Sequence, residues 1–544
     1  MKIKNAFAFQ KKMLTFCLLP LSVMFFFLLV YADCSESAEG VLTQKKIVYI
    51  PLDNRPVCYD FVQQLGNMAG INLVMPSKEI LSGTGDEDRV EKLWAWVFEN
   101  AKGTDSFIVS LDTVLYGGLV SSRTHQFTAE VLQNRLNKIK KLKEHNSVPV
   151  YAFISIMRTP TTNSSVEKPE YYGMYGADIF KISKLADRVK RGLANSMEIK
   201  RLHGIKEKIP SHFLDDFLQR RDLNHQMTRK SIGLVDEGVI DCLVVSRDDC
   251  APFGFSRLEQ RALNREIINR AVGDKVYSLA GLDECGAVLF ARAVNQWNGY
   301  VPQVHIKYGT PKGPDIIPRY EDIPLKENIP IHINCMGGQV TKDINKSDLI
   351  LIVNSPQQAV GEAVHQDPHI FNRQLVGQVK DYILNNQALV VADVNYANGA
   401  DHGFLTALSE KGLLYDLAGY SGWNTAGNTI GLSLSQGILY NYLIKNDTTP
   451  LGWRLEHQRL LWTRLLTDWG YQAVIRPKLV KKYLAGRGAA ARLNPELETR
   501  VEQEILKELN PFAHKNLTGF YKPFRVTSVN LPWHRMFDLS VMVE

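Results

Sequence analysis

The sequence predicts an α/β protein with a mostly parallel sheet, barrel-like or doubly wound, then a second α/β region and a helical C-terminal segment. Three observations carry this expectation. Short apolar runs alternate with stretches of helical spacing, the pattern of strand–helix–strand units. Several of the runs end in charged or turn-forming groups, such as Asp53-Asn54-Arg55-Pro56 and Ser246-Arg247-Asp248-Asp249. In α/β proteins, ligands gather beyond these carboxyl ends. Finally, 544 residues with 45% hydrophobic and 22% charged composition describe a globular chain too long for one ordinary domain.

The elements come in order along the chain. Lys2, Lys4, Lys11 and Lys12 precede an uncharged apolar run from Met13 to Ala32, the pattern of a secretory signal, with Val30-Tyr31-Ala32 suited to cleavage. The run is nearly long enough to span a bilayer although Pro20 interrupts it, so a retained anchor with membrane association is the alternative. Cys34 is preceded by Asp33, not by the small residue a lipoprotein signal needs. An exported protein, extracellular or bound to the cell envelope, is therefore expected. Residues 33–45 read as a linker, and residues 46–300 as a first α/β region.

Strands are expected at Lys46–Leu52, Ile71–Met75, Ser106–Leu111, Pro149–Ile156, Asp241–Val245 and Lys275–Leu279. Helices are expected at Tyr59–Met68, closed by Gly70, at Asp86–Asn100 and at Thr128–Glu144. Residues 164–234 are rich in charge and helical pattern and read as a helical insertion over one rim. A boundary falls near 297–303. Residues 301–450 form the second α/β region, with strands at Val301–Tyr308, Ile331–Cys335, Asp348–Val353 and Ala388–Ala392, and a helix opened by the string Gly419–Thr429 and running to about Ile444. Residues 451–544 are helical and then an irregular tail rich in aromatics and prolines. The alternative arrangement closes eight strands, from Ile47 to Asp393, into one elaborated barrel.

Composition excludes several classes. Removing the four leader lysines takes the formal net charge from +7 to +3, and no basic cluster with interleaved aromatics is present, so nucleic acid is not an expected partner. Cysteines 17, 34, 58, 242, 250, 285 and 335 show no C-x-x-C pair and no dense framework, although one or two disulfides remain open in an exported chain. No G-x-S-x-G, H-E-x-x-H, P-loop or post-strand G-x-G-x-x-G occurs. His365 and His369 are separated by Pro368, which argues against a helical metal pair, and His402 reads as a surface histidine.

The strand-terminal acids remain. Asp53, Asp112, Asp248 with Asp249, and Asp283 with Glu284 would share one rim if the strands are parallel, with Asp393 a fifth position if the second region shares the cleft. Gathered carboxylates raise one another's pKa until one stays protonated, which glycoside hydrolysis requires. Asp248, Asp249, Asp112 and Asp283 are the candidate catalytic acids. Asp53, Arg55, Arg158, Arg247, Trp423, Asn424 and Asn428 are the candidate substrate-binding residues, with Arg123 nearby. Glycines beside Trp423, Asn424 and Asn428 offer a stacking face and fixed amides, as a sugar ring needs. Each acid also has a plain reading as a helix cap or ion-pair partner, and each arginine as that pair's other half.

Four strings in order resemble a bacterial family, the domain-of-unknown-function family numbered 4127. They are Ile50-Pro51-Leu52-Asp53-Asn54-Arg55-Pro56, Val109-Ser110-Leu111-Asp112 with Leu115 to Arg123, Ser246-Arg247-Asp248-Asp249, and Gly422 to Thr429. The resemblance spans about Lys46 to Ile444 and implies a bacterial origin, but carries no catalytic residues with it. The functional expectation therefore rests on the residues: an exported hydrolase acting on a small-molecule or glycan substrate through paired carboxylates. No cofactor is required, no metal ligand is assigned, and a divalent cation would suit the same oxygens. A metal-dependent hydrolase or transferase is the first alternative, and a non-catalytic solute-binding protein the second.

Overall fold

The computed structural model describes residues 44–81, 87–446 and 450–544. The leader expected at 1–32, with Cys17 and Cys34, lies outside the described residues. Among those described, no helix is long and apolar enough to cross a membrane.

Two open parallel sheets organise the chain. The first is built from β1 (Lys46–Ile50), β2 (Asn72–Val74), β3 (Ser106–Ser110), β4 (Val150–Ile156), β5 (Cys242–Arg247) and β6 (Val276–Ala280). Its spatial order is β2-β1-β3-β4-β5-β6. Further along come β7 (Gln303–Tyr308), β8 (Gln339–Val340), β9 (Leu349–Asn354), β10 (Gly361–Glu362), β11 (Leu389–Asp393), β12 (Tyr396–Ala397) and β13 (Gly419–Ser421). Five of these make the second sheet, ordered β13-β11-β9-β7-β8, while β10 pairs with β12 alone. A terminal antiparallel hairpin joins β14 (Val526–Asn530) to β15 (Ser540–Val543).

Both sheets are doubly wound in the same way: the second strand lies to one side of the first, and the third and later strands to the other. The order reverses between β1 and β3, and again between β7 and β9, and such a reversal opens a crevice beyond the strand ends. The barrel alternative is thus corrected. β7 pairs with β8 and β9, leaving β6 an edge of the first sheet.

Strand alternation explains how the sheets stack. In β1, Val48 and Ile50 face an outer layer with Leu93, Trp94, Leu136, Ile139, Leu263 and Ile267. Ile47 and Tyr49 face inward, sharing one core with Leu349, Leu351, Val353, Val390 and Ala392 of the second sheet. Between the sheets lie the helices Asp60–Ala69, Cys285–Trp297, Leu325–Cys335 and Ala426–Lys445. Ile350, Ile352 and Val391 face the far side, against the C-terminal helices. The architecture is therefore helix, sheet, helix, sheet, helix. Because both sheets share the middle layer, Lys45–Glu544 forms one compact unit even though the first sheet gives way to the second between Trp297 and Gln303.

Two local expectations change. Ile331–Cys335 is not a strand but the end of the helix Leu325–Cys335, whose buried Leu325, Ile329 and Ile333 recur every four residues. A short apolar run with Pro330 inside it hid that period. The Gly422 string does open a helix, but it is preceded by β13, only three residues long. The insertion comprises the helices Tyr172–Lys190, Ser196–Lys206 and Ser211–Asp236, the first two packing a satellite core around Ile179, Ile182, Leu202 and Ile205. Gly70 ends its helix at φ 66°, as its place in the sequence implies.

Candidate functional site

The carboxyl ends of the first sheet hold a connected network of charge. After β1, the Asp53 carboxylate accepts from the Arg55 backbone N–H at 2.9 Å, turning the loop so that the Arg55 guanidinium folds back onto it. The other edge of that guanidinium meets Asp283, beyond β6, at 2.6 and 3.1 Å. Asp283 is thereby brought to Asp53 although some 230 residues separate them. Burial pushes the Asp283 carboxyl up to about 6 despite Arg55. Just beyond β3, Asp112 accepts from the Ser155 backbone N–H and hydroxyl, both at 2.8 Å. Burial pushes Asp112 up to about 7 against those two bonds.

The turn after β5 supplies the rest. Asp248 accepts from Arg123 at 2.6 Å and lies 3.4 Å from Arg158, which comes just after β4. Arg158 also pairs with Asp249. Asp249 has φ 39°, a left-handed backbone that non-glycine residues rarely adopt. Burial and the Asp248 charge push its carboxyl up, against Arg158 and Arg123. Its side chain is nevertheless 35% exposed, compared with 19% for Asp248 and 15% for Arg158, so this turn is where the network meets solvent.

Three members come from outside the strand ends that the sequence pattern marks. Glu167, in the insertion, accepts from Arg123 and Arg158 at 3.2 Å each and pairs with Arg535. Arg535 belongs to the C-terminal tail and also holds Asp538 at 2.7 Å. Trp533 lies between Arg55 and Arg535, 4.9 and 4.5 Å from their guanidinium carbons, and donates its ring N–H to Asn54 at 2.8 Å. No local signal identifies Glu167, Trp533 or Arg535 as members, because the insertion brings in the first and the return of the tail to the first sheet the other two. Beside Asp538 a narrow cavity of about 40 Å³ runs between Pro56, Phe61, Trp423 and Gln472, room for ordered water only. Larger hollows open elsewhere, around His225 and Arg229 on the outer helices and around Asp348 and Tyr440.

The structure therefore brings together Asp53, Arg55, Asp112, Arg158, Asp248, Asp249 and Asp283. The other candidates lie apart from them. Arg247 is sealed in the core, its guanidinium spanning Asp322 at 2.8 and 3.0 Å and Ser278 at 2.6 Å. Its expected place among substrate-binding residues is corrected: an arginine with 1% exposure and a fully buried carboxylate partner ties β5 to the loop ahead of the helix Leu325–Cys335. Asn428 donates to buried Glu284 at 2.6 Å, and Glu284 in turn meets His332. Trp423 is buried edge-on against Phe537, with no partner for its ring N–H. Asn424 turns the chain at φ 58°, and its carbonyl accepts from the Asn398 N–H. The string thus joins the two sheets: a Cβ on Gly427 would fall 1.7 Å from the Ala280 carbonyl oxygen.

Asp393 sits at the strand ends of the second sheet with its own partners, Asn354, Asp401 and Tyr420. Burial and Asp401 push it up to about 8. His402 accepts from the Trp469 ring N–H at 2.8 Å. The five described cysteines are free and buried. Among the described residues, no group of three or more His, Cys, Asp or Glu side chains is placed to hold a metal ion.

None of the curated proteins compared matches this chain. The family model described as "Protein of unknown function (DUF4127)" matches residues 47–542, from β1 to β15, a span that includes both sheets, the strand-end network and the returning tail. The chain belongs to that family.

Proposed function

We propose that the protein is an exported hydrolase that cleaves carbohydrate at the strand-end cleft, with Asp248 and Asp249 as its acid–base pair. The observation that carries this reading is the unequal setting of two adjacent carboxyls. Asp248 is held by Arg123 and lies close to Arg158, two fixed positive charges. Asp249 is the more exposed, is pushed toward its protonated form by burial and by Asp248, and stands on a left-handed backbone. Strained backbone of this kind clusters at functional sites. One ionised and one proton-bearing carboxyl are what glycosidic cleavage needs: a proton for the leaving oxygen and a negative partner for the developing positive charge. Asp112 and Asp283 stand behind them as further raised carboxyls. Arg55 and Arg158 fix the network, and the leader of residues 1–32 supports export.

The test is release of reducing ends from a panel of neutral and acidic glycans, with wild type, Asp248→Asn and Asp249→Asn, with and without chelator. Each variant is expected to lose on the order of a hundredfold in kcat while its circular dichroism stays native. Chelator is expected to leave the rate unchanged, because arginines already occupy the carboxylate lone pairs a divalent cation would take. Wild-type rates in both variants would remove the assignment. Turnover abolished by chelator would favour metal-assisted hydrolysis, and tight binding without turnover a solute-binding role.

A further inference from the structure

We infer that Arg123, Arg158 and Arg535 form a subsite for a substrate carboxylate, and that Glu167 is an internal stand-in for it. The three arginines come from three distant parts of the chain: the turn Ser121–Arg123, the end of β4 and the C-terminal tail. They converge on one carboxylate, Oε2 of Glu167 being shared by Arg123 and Arg158 while Oε1 takes Arg535. Burial would raise the Glu167 carboxyl, but Arg535, Arg158 and Arg123 overrule it and hold it at about 2. The neighbouring Lys168 amine is pushed down to about 8 by burial and by Arg158 and Arg123. The surroundings favour an anion and disfavour a further cation.

Three features mark Glu167 as a replaceable ligand. Its bonds from Arg123 and Arg158 are 3.2 Å, longer than the usual charge-assisted bond and than the 2.6 Å between Arg123 and Asp248. The Arg158 Nε–H is buried with no acceptor, so the subsite has a donor that Glu167 does not use. Glu167 itself holds φ 61°, a left-handed backbone of the kind that clusters at ligand clamps and switch regions. Its loop is anchored separately, since Asn163 accepts from the Ala177 N–H at 2.8 Å, so the Glu167 side chain can leave without freeing the loop. A carboxylate fits better than a phosphate: two oxygens already reach all three arginines, and Asp248 and Asp249 alongside would repel a second negative charge. Arg158 links the subsite to the more exposed Asp249, so that an acidic sugar would present its carboxylate beside the acid–base pair.

The inference rests on the hydrolase reading only in calling the bound species substrate, and its test needs no turnover. D-glucuronate, D-glucose and inorganic phosphate are titrated calorimetrically into the full chain and into Glu167→Gln, which keeps shape and removes the competing charge. The variant is expected to bind glucuronate at least tenfold more tightly than wild type, with glucose unchanged and phosphate gaining less. Arg535→Ala in the Glu167→Gln background should abolish that gain. Equal glucuronate affinity in wild type and variant, an equal gain for glucose, or a gain that survives loss of Arg535 overturns the subsite. A larger gain for phosphate overturns the carboxylate assignment. If Glu167→Gln folds weakly, glucuronate should raise its Tm above an equal ionic strength of chloride, and no such rise overturns the proposal. Failure to turn over any glycan counts against the acid–base pair and leaves the binding result intact.

Discussion

Asp112 and Arg247 show how differently two buried charges at strand ends can behave. Asp112 is pushed up by burial from an ordinary value of 3.8 to about 7. A carboxyl raised in the folded chain binds its proton more tightly there than in the unfolded chain. Its contribution to stability is therefore full below about pH 4 and lost as pH rises through about 7. Asp112→Asn removes that dependence, its amide oxygen still accepting from the Ser155 N–H and its NH2 donating to the Ser155 hydroxyl. The stability of wild type minus that of Asp112→Asn is expected to fall by roughly 4 kcal/mol between pH 4 and pH 8, measured by urea unfolding. A flat difference would mean that Asp112 is ionised throughout. Arg247 pairs with an equally buried acid, and truncation would leave Asp322 only the more distant Arg257, at 3.6 Å. Arg247→Ala should cost about 3–5 kcal/mol while leaving kcat of the folded fraction unchanged. A selective loss of kcat at full stability would return Arg247 to the site.

At the level of elements, the helix Ala426–Lys445 and the C-terminal tail decide whether a site exists. The helix is buried on nearly every side between two sheets, and small residues admit it. A Cβ on Gly427 would strike the Ala280 carbonyl, and one on Gly431 would come 2.3 Å from the Glu284 side chain. Gly427→Ala is expected to destabilise by about 3 kcal/mol or more, since neither neighbour is a flexible chain end. Guanidinium unfolding measures this directly, and a neutral change would show that the sheets can slide apart. The tail contributes Trp533, whose ring meets two arginines and Asn54. Trp533→Ala should cost about 1–2 kcal/mol in stability. It should also weaken glucuronate binding in Glu167→Gln, because Arg535 loses the surface that holds it in place.

For the molecule as a whole, the shared middle layer makes the two sheets interdependent. Ile47 and Tyr49 of the first sheet belong to the same core as Val390 and Ala392 of the second. Unfolding in guanidinium is therefore expected as one transition, with far-ultraviolet dichroism and tryptophan fluorescence coinciding. Two separated midpoints would mean that each sheet folds on its own. The first sheet gives way to the second between Trp297 and Gln303, inside one compact unit.

The sequence by itself determined the α/β class, all six strands of the first sheet, three of the five in the second, and the charged residues that close them. Those are short-range properties, written in the period of apolar residues and in the charged or turn-forming groups that close each run. It also led to the convergence of Asp53, Asp112, Arg158, Asp248 and Asp283, since parallel strands must place their carboxyl ends on one side. Open sheets in place of a barrel were decided by tertiary pairing, because strand order is a choice among partners that no local pattern records. Side-chain direction was decided the same way: Arg247 and Asp248 are neighbours in sequence, yet one enters the core and the other the cleft. Asp53 found Asp283 through Arg55, and Glu167 found Arg535 across more than 300 residues, by long-range packing alone. The Gly422–Asn428 string, which its composition assigns to a sugar, became the joint between two sheets because only glycine lets backbones approach that closely.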